Sequence, residues 1–260
     1  MRLKHASSRI LGKSLLLRPE LERHVRAVLA GQEDGRDLTD VLSDIRSAYE
    51  LRDAVADALG PTCGWKIAAN AVDQRNNPAL DAPVAGRIVG APRASGVYLK
   101  LSDFKDFMIE PEFAAVLGQD VKGQIDRRQA NEVVSSFHVA FELLDRRGLG
   151  PLMHLPTFVG YNVFNAGVVL GDEVPRAALQ DYVACFVIDG EEKLMARNTA
   201  PQDPLDAVVF VLNHATERGF AANPGDVILC GTHYPPTSIS EPSSAEFSVE
   251  GCLVSLSISA

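Results

Sequence analysis

The stretch Phe107-Met-Ile-Glu-Pro-Glu-Phe-Ala-Ala-Val-Leu-Gly118 constrains this chain most. It is apolar, partly β-branched and closed by a glycine, which predicts a strand. Two carboxylates, Glu110 and Glu112, sit inside it. Side chains two apart on a strand share a face and lie about 6.5–7 Å apart along the chain. Like charges that close repel unless a cation or a shared proton relieves them. Pro111 points to the other face and lacks an N–H, which suits an edge strand or a bulge. A third carboxylate, Glu142, lies in a second apolar segment, Phe137-His-Val-Ala-Phe-Glu-Leu-Leu144. Three carboxylates on strand-like segments suit a hard cation such as Mg²⁺, Mn²⁺ or Ca²⁺. The same pattern also suits a solvated strand face with scattered acids.

The 260 residues allow one large domain or two smaller ones. A net charge of −9 argues against broad binding to nucleic acid or an anionic membrane, both of which call for basic patches. The four cysteines, Cys63, Cys185, Cys230 and Cys252, are far apart and form no C-x-x-C, so reduced, mostly buried thiols are expected. The apolar run Leu15-Leu-Leu17 is too short for a signal segment, and no run of 18 apolar residues occurs, so a cytoplasmic protein is expected.

Residues 1–18 read as loosely ordered. Pro19 opens a helix running to Ala30, and Thr39 or Asp40 caps a second one, Val41–Leu59, which Gly60-Pro61 stops. A short strand, Gly64-Trp-Lys-Ile-Ala-Ala-Asn70, carries Lys66 among apolar neighbours. A lysine there is costly to bury unless paired, and the alternative is exposure on the outer face. Residues 71–95 read as a long irregular loop, the kind that often lines a site. Strand patterns then alternate with helix-like Arg127–Ser136 and a last helix, Pro204–Gly219. From Tyr182 the pattern is otherwise β, ending in two alternating strands about Glu250-Gly251. The whole predicts an α+β chain. A helical N-terminal region, residues 1–62, precedes a mixed, mostly antiparallel β domain, residues 63–260.

Taken together, these segments resemble the hydratase/decarboxylase branch of the fumarylacetoacetate hydrolase superfamily, from about Gly64 to the C-terminus. Gly64-Trp-Lys-Ile67 resembles the strand bearing that family's catalytic lysine. Ile109-Glu-Pro-Glu112 resembles its pair of metal-ligating glutamates, and Phe141-Glu142-Leu-Leu the strand with the third ligand. Pro224-Gly-Asp-Val-Ile-Leu-Cys-Gly231 resembles the strand and turn near its substrate pocket, and Asn162-Val-Phe-Asn-Ala-Gly167 a further family segment. The resemblance implies a Mg²⁺ or Mn²⁺ ion on Glu110, Glu112 and Glu142, acting as Lewis acid on the 2-oxygen of a small unsaturated 2-oxo acid. It implies Lys66 as proton shuttle and Asn162, Gly231 and Thr232 at the substrate. It also implies a homo-oligomer that could act beside a partner enzyme of the same pathway. Hydration of a 2-hydroxy-2,4-dienoate is placed ahead of decarboxylation of a 2-oxo-3-enedioate.

The chain departs from that pattern at three places. Where hydratases of the branch have Pro-Asp-(Tyr/Phe)-Gly, it has Pro83-Val-Ala-Gly86, so Val84 replaces an acid, with Asp81 near but offset. The family's Asp-Asn pair is Tyr161-Asn162, and its Gly-His-Pro is Gln202-Asp-Pro204. Val84, and Pro235-Pro236 beside His233 and Tyr234, leave room for a second reading, a non-catalytic protein that binds metal and 2-oxo acids. Among other residues, Arg87 in the loop after Lys66 could pair with a substrate carboxylate. His154 and His233 lie in loops and could reach a pocket, surface or capping roles being the ordinary alternative.

Overall fold

The computed structural model describes residues 19–42, 44–70, 83–150 and 154–260. The readings of residues 1–18, of Asp81 and of much of the 71–95 loop lie outside these.

Helix α1 (Pro19–Leu29) starts at its proline and buries Leu21, Val25 and Val28 at helical spacing. Helix α2 (Ile45–Leu59) begins later than the periodicity suggests. Its cap is Asp44, whose carboxylate accepts the Ser47 N–H at 2.8 Å, rather than Thr39 or Asp40. Thr39 is instead held in a turn, its N–H donating to Asp37 Oδ1 at 2.9 Å. Three further helices follow, α3 (Arg127–Val133), α4 (Leu155–Gly160) and α5 (Pro204–Glu217).

The strands, in chain order, are β1 (Thr62–Ala68), β2 (Val84–Val89), β3 (Arg93–Ala94), β4 (Val97–Lys100), β5 (Phe107–Leu117), β6 (Val134–Asp145) and β7 (Asn165–Val174). They continue with β8 (Val183–Ile188), β9 (Glu191–Arg197), β10 (Val227–Thr232), β11 (Thr237–Ser238), β12 (Ser243–Val249) and β13 (Cys252–Ser259). One sheet runs β2-β1-β10-β5-β6-β7-β3, with β11 also on β5, and a second runs β4-β13-β12-β8-β9. Most pairings are antiparallel, while β1 with β10, β3 with β7, and β4 with β13 are parallel. The chain is thus α+β. Strand β2 falls where an irregular loop is expected, because its Val-Ala-Gly-Arg-Ile-Val run is too short to show a period.

Strand β5 is central, and its two faces do different things. Ile109 and Phe113 point into the space between the sheets, with Phe137, Val139 and Phe141 of β6 and Phe186 and Phe247 of the second sheet. The Phe141 ring lies 5.8 Å from that of Phe186 and 6.4 Å from that of Phe247. Burying each such ring contributes about 1.5–3 kcal/mol, so this layer fixes the alternation of β5 and β6. Glu110, Glu112 and Glu142 must therefore point to the opposite face. That face is covered by Leu51 and Val55 of α2, Phe158 and Val159 of α4, and Tyr161 and Val163, which cluster with Met108 and Leu144. No helix among the described residues is long and apolar enough to cross a membrane.

Candidate metal centre

Glu110 and Glu142 are directly opposed across β5 and β6, and Glu112 is the next residue along the same face. One carboxylate oxygen from each of the three lies within 4.8 Å of the others. They are 7%, 1% and 0% exposed for Glu110, Glu112 and Glu142, which excludes a solvated strand face. Burial, reinforced by the Glu142 charge, pushes the Glu110 carboxyl up from 4.5 to about 8. Burial and the charges of Glu142 and Glu110 push Glu112 well up. Burial also raises Glu142, against the pull of Lys66 and of a hydrogen bond from Asn165.

Lys66 is the one positive partner of these acids among the described residues. It is 2% exposed, and its Nζ lies 2.6 Å from Glu142 Oε1 and 2.7 Å from Oε2. The lysine is therefore buried and paired rather than exposed. Gly86, opposite Lys66 on β2, makes room for it, since a Cβ there would sit 2.9 Å from Lys66 Cγ. Nζ also donates to the Val163 carbonyl at 3.2 Å. Asn162, Val163 and Phe164 all have positive φ, at 55°, 54° and 60°. A β-branched residue pays for this conformation in backbone strain, which the surrounding core over-determines here. The strained turn aims one carbonyl at the lysine.

Two further contacts hold the acids. Thr232 pairs with Glu112, but the β10–β5 register slips between Leu229 and Thr232. The slip frees the Gly231 N–H to donate to Glu112 Oε2 at 2.8 Å. Gly231 has φ +104°, and a Cβ there would lie 2.4 Å from Asn70 Nδ2, so only glycine fits. Pro111 sits at the same irregularity. Its carbonyl accepts from His233 N–H on the β10 side, so its missing donor costs β5 nothing toward β6. The second contact is Asn165, whose Nδ2 donates to Glu142 Oε1 at 2.9 Å.

The donor set fits a hard divalent cation. Three carboxylates face one lysine, and a divalent ion would bring the local charge to zero while taking only oxygen ligands. Between the ordinary carboxylate value of 4.5 and about 8, the folded metal-free chain binds more protons than the unfolded one. Its stability therefore falls as pH rises through that window. The thermal midpoint of EDTA-treated protein is expected to drop from about pH 5 to pH 8, and Mg²⁺ to recover it at the upper end. A flat profile would contradict the burial of the three acids. Asn165→Ala is expected to weaken divalent-ion binding about 10–100-fold in a direct titration, because it removes the donor that orients Glu142.

A cavity of about 140 Å³ opens over the acids, on the order of ten water positions. Lys66, Asn70, Glu110, Glu112 and Thr232 line it, together with Met108, Leu144, Phe158, Phe164 and Arg146. Four of the residues expected at the site converge on the cavity: Lys66, Glu110, Glu112 and Thr232, with Glu142 and Gly231 bonded to members of this group. Two others are placed elsewhere. Arg87 lies on β2 opposite Trp65, on the face away from Lys66, and its guanidinium pairs with Asp57 at 2.6 Å. Asn162 accepts from Arg87 N–H at 2.9 Å and donates to Arg87 O at 2.7 Å, clamping β2 rather than lining the cavity. His233 is packed between Phe113, Tyr182 and Phe247. Burial lowers its pKa to about 3, so it stays neutral in the core. His154 precedes α4 and does not line the cavity. Asn165, Val163 and Arg146 were not signalled by spacing, because their roles depend on a turn and a strand end.

A family model described as the C-terminal part of fumarylacetoacetate (FAA) hydrolase matches residues 60–257. The chain belongs to the fumarylacetoacetate hydrolase family. A 4-oxalocrotonate decarboxylase of a Pseudomonas species is 25% identical over 138 residues, 52% of this chain and 54% of that protein. The match thus spans about half the length of that curated relative. A 4-oxalocrotonate decarboxylase from Pseudomonas putida G7, solved with magnesium and adipate, superposes with a TM-score of 0.82 at 16% identity, covering 92% of this chain and 96% of that one. A fumarylpyruvate hydrolase from Pseudomonas aeruginosa, solved with Mn²⁺ and pyruvate, gives a TM-score of 0.55 at 16% identity, covering 75% and 88%. These likenesses show a shared fold among fumarylacetoacetate hydrolase family members, including enzymes solved with divalent ions.

Proposed function

We propose that this fumarylacetoacetate hydrolase family chain is a divalent-metal-dependent decarboxylase of a small unsaturated 2-oxo acid. The observation that carries the reading is the make-up of the cavity wall. Its ionisable groups, among the described residues, are Lys66, Glu110, Glu112 and Arg146. With the glutamates given to the metal, no carboxylate or imidazole is left on that wall among the described residues to activate water. Val84 is 2% exposed and packs in the apolar cluster with Met108 and Phe164. Hydration, which the sequence resemblance places first, calls for such a base. Loss of carbon dioxide does not. The match to 4-oxalocrotonate decarboxylases supports the same reading.

Glu110, Glu112 and Glu142 would hold the ion, Mg²⁺ or Mn²⁺, which when bound supplies Lewis-acid stabilisation of charge on the substrate's 2-oxygen. The chain's own residues do the rest. The bond to the departing carboxylate breaks, and its electron pair moves along the conjugated chain toward the 2-oxygen. Lys66 Nζ, fixed by Glu142 and Val163 O, holds the proton that balances this charge. Met108, Leu144, Phe158 and Phe164 keep water from the middle of the substrate and favour an uncharged, planar chain.

The test is an assay of purified protein with 4-oxalocrotonate and Mg²⁺, following carbon dioxide, and then with EDTA. EDTA-sensitive release is expected. Water addition to 2-hydroxypenta-2,4-dienoate without carbon dioxide release would move the assignment to a hydratase. Metal binding with neither reaction would leave the non-catalytic reading.

A further inference from the structure

Strand β2 is the outer strand of its sheet, so the Ala85 and Arg87 backbone groups that turn away from β1 have no strand to bond. Side chains take that place. Ala85 N–H donates to Tyr49 Oη at 3.2 Å, and Ala85 O accepts from Arg52 Nη1 at 2.6 Å. At Arg87 one side chain does both tasks. Asn162 Oδ1 accepts from the N–H at 2.9 Å, and Asn162 Nδ2 donates to the carbonyl at 2.7 Å. Asn162 is 1% exposed, does not line the cavity, and opens the left-handed turn with φ +55°. Buried backbone groups left unpaired are costly, so this pair of bonds holds the turn against β2.

The Lys66 side chain runs through the seam that Asn162 closes. Gly86 faces Lys66 across the β1–β2 pairing. A Cβ on Gly86 would lie 2.9 Å from Lys66 Cγ and 3.2 Å from Val163 Cβ, so the lysine stem, Gly86 and Val163 meet at one point. Beyond that point Nζ reaches the Val163 carbonyl at 3.2 Å. Val163 directly follows Asn162, and Gly86 directly precedes Arg87. Asn162 is therefore joined covalently to one wall of the lysine slot and by two hydrogen bonds to the other.

We infer that Asn162 is a positioning residue for Lys66: without touching the substrate, it pins the left-handed turn to β2 and so fixes the slot that aims Nζ. This rests on reading Lys66 as the group that holds the proton in the reaction. The three glutamates stand on β5 and β6, which Asn162 does not bond, so ion binding is independent of it. Loosening the slot moves the lysine and leaves the metal ligands and the apolar cavity wall in place. The consequence is a loss in kcat with KM retained, because a small misplacement of a proton-holding group acts on the chemical step.

The experiment compares the full-length wild type with Asn162→Gly, which removes both bonds to Arg87 yet tolerates the positive φ. With 4-oxalocrotonate and saturating Mg²⁺, kcat of Asn162→Gly is expected to fall on the order of ten- to hundredfold, with KM and Mn²⁺ affinity unchanged. In the Lys66→Met background the same substitution should cause no further fall, since the two residues act as one unit. Should Asn162→Gly fail to fold, Asn162→Asp carries the same test, because it keeps the acceptor for Arg87 N–H and removes the donor to Arg87 O. A second readout needs no turnover. In nitrogen NMR of the metal-free protein with labelled lysine, the buried Lys66 ammonium should give a signal, absent in Lys66→Met, that shifts or broadens in Asn162→Gly. An unreduced kcat, an equal further fall in the Lys66→Met background, or a raised KM with kcat unchanged overturns the positioning role, and the last would make Asn162 a substrate contact. If the wild type turns over no 2-oxo acid, the functional reading beneath fails, and the ammonium signal still decides. An unaltered signal in Asn162→Gly overturns the inference by itself.

Discussion

Glu112→Gln is expected to abolish metal-dependent turnover and to weaken divalent-ion binding by on the order of a hundredfold or more, since ligand charge sets affinity in all-oxygen sites. Glutamine matches glutamate in volume and keeps an oxygen that accepts the Gly231 N–H, now 2.8 Å from Glu112 Oε2. The fold should therefore survive. Stability should move in the opposite direction to function. Burial and the charges of Glu142 and Glu110 raise the Glu112 carboxyl, so above the ordinary carboxylate range it destabilises the metal-free fold. Glu112→Gln removes that penalty, and the thermal midpoint of EDTA-treated protein should rise, most at alkaline pH. An unchanged ion affinity would remove Glu112 from the metal centre.

Lys66→Met separates the two tasks of the lysine. The pair with Glu142 is fully buried, and deleting one member of such a pair costs about 3–5 kcal/mol because the other charge is left uncompensated. Here only neutral donors, Asn165 Nδ2 and the Glu110 carboxyl, would remain on Glu142 among the described residues, so the metal-free variant should be strongly destabilised. A divalent ion supplies the missing positive charge and should recover much of the loss. Turnover should not recover. Proton transfer by a positioned side chain contributes about 10²–10⁴-fold, and kcat of the metal-saturated variant should fall by that factor. Full turnover in the loaded variant would show that Lys66 serves only as a counter-ion.

The period-two pattern of β5 placed Glu110 and Glu112 on one face, and the apolar density around Glu142 marked β6 as a strand. Both features are local, so the sequence carried them. The register that sets Glu142 against Glu110 is not local. It depends on the inter-sheet packing of Phe113, Phe137 and Phe141, and on a slip near Gly231 that no spacing announces. The same limit explains Arg87 and Asn162. A residue read as part of a loop has no face, whereas in β2 it must alternate, and alternation turns Arg87 toward Asp57. Asn162 and Asn165 are three apart in one motif, and only the left-handed turn between them decides that Asn165 reaches Glu142. Helix α4, Leu-Pro-Thr-Phe-Val-Gly, is a short apolar run without helical period, and its Phe158 lines the cavity over the acids.

The most direct test of the metal centre is calorimetric titration of the metal-free protein with Mn²⁺ at about pH 7, repeated in buffers of different ionisation enthalpy. Carboxyls raised by burial must lose protons to bind the ion. The expected result is one saturable equivalent per chain, with proton release into the buffer. No saturable binding, or binding without proton release, would contradict the assignment of Glu110, Glu112 and Glu142 as one buried cation site.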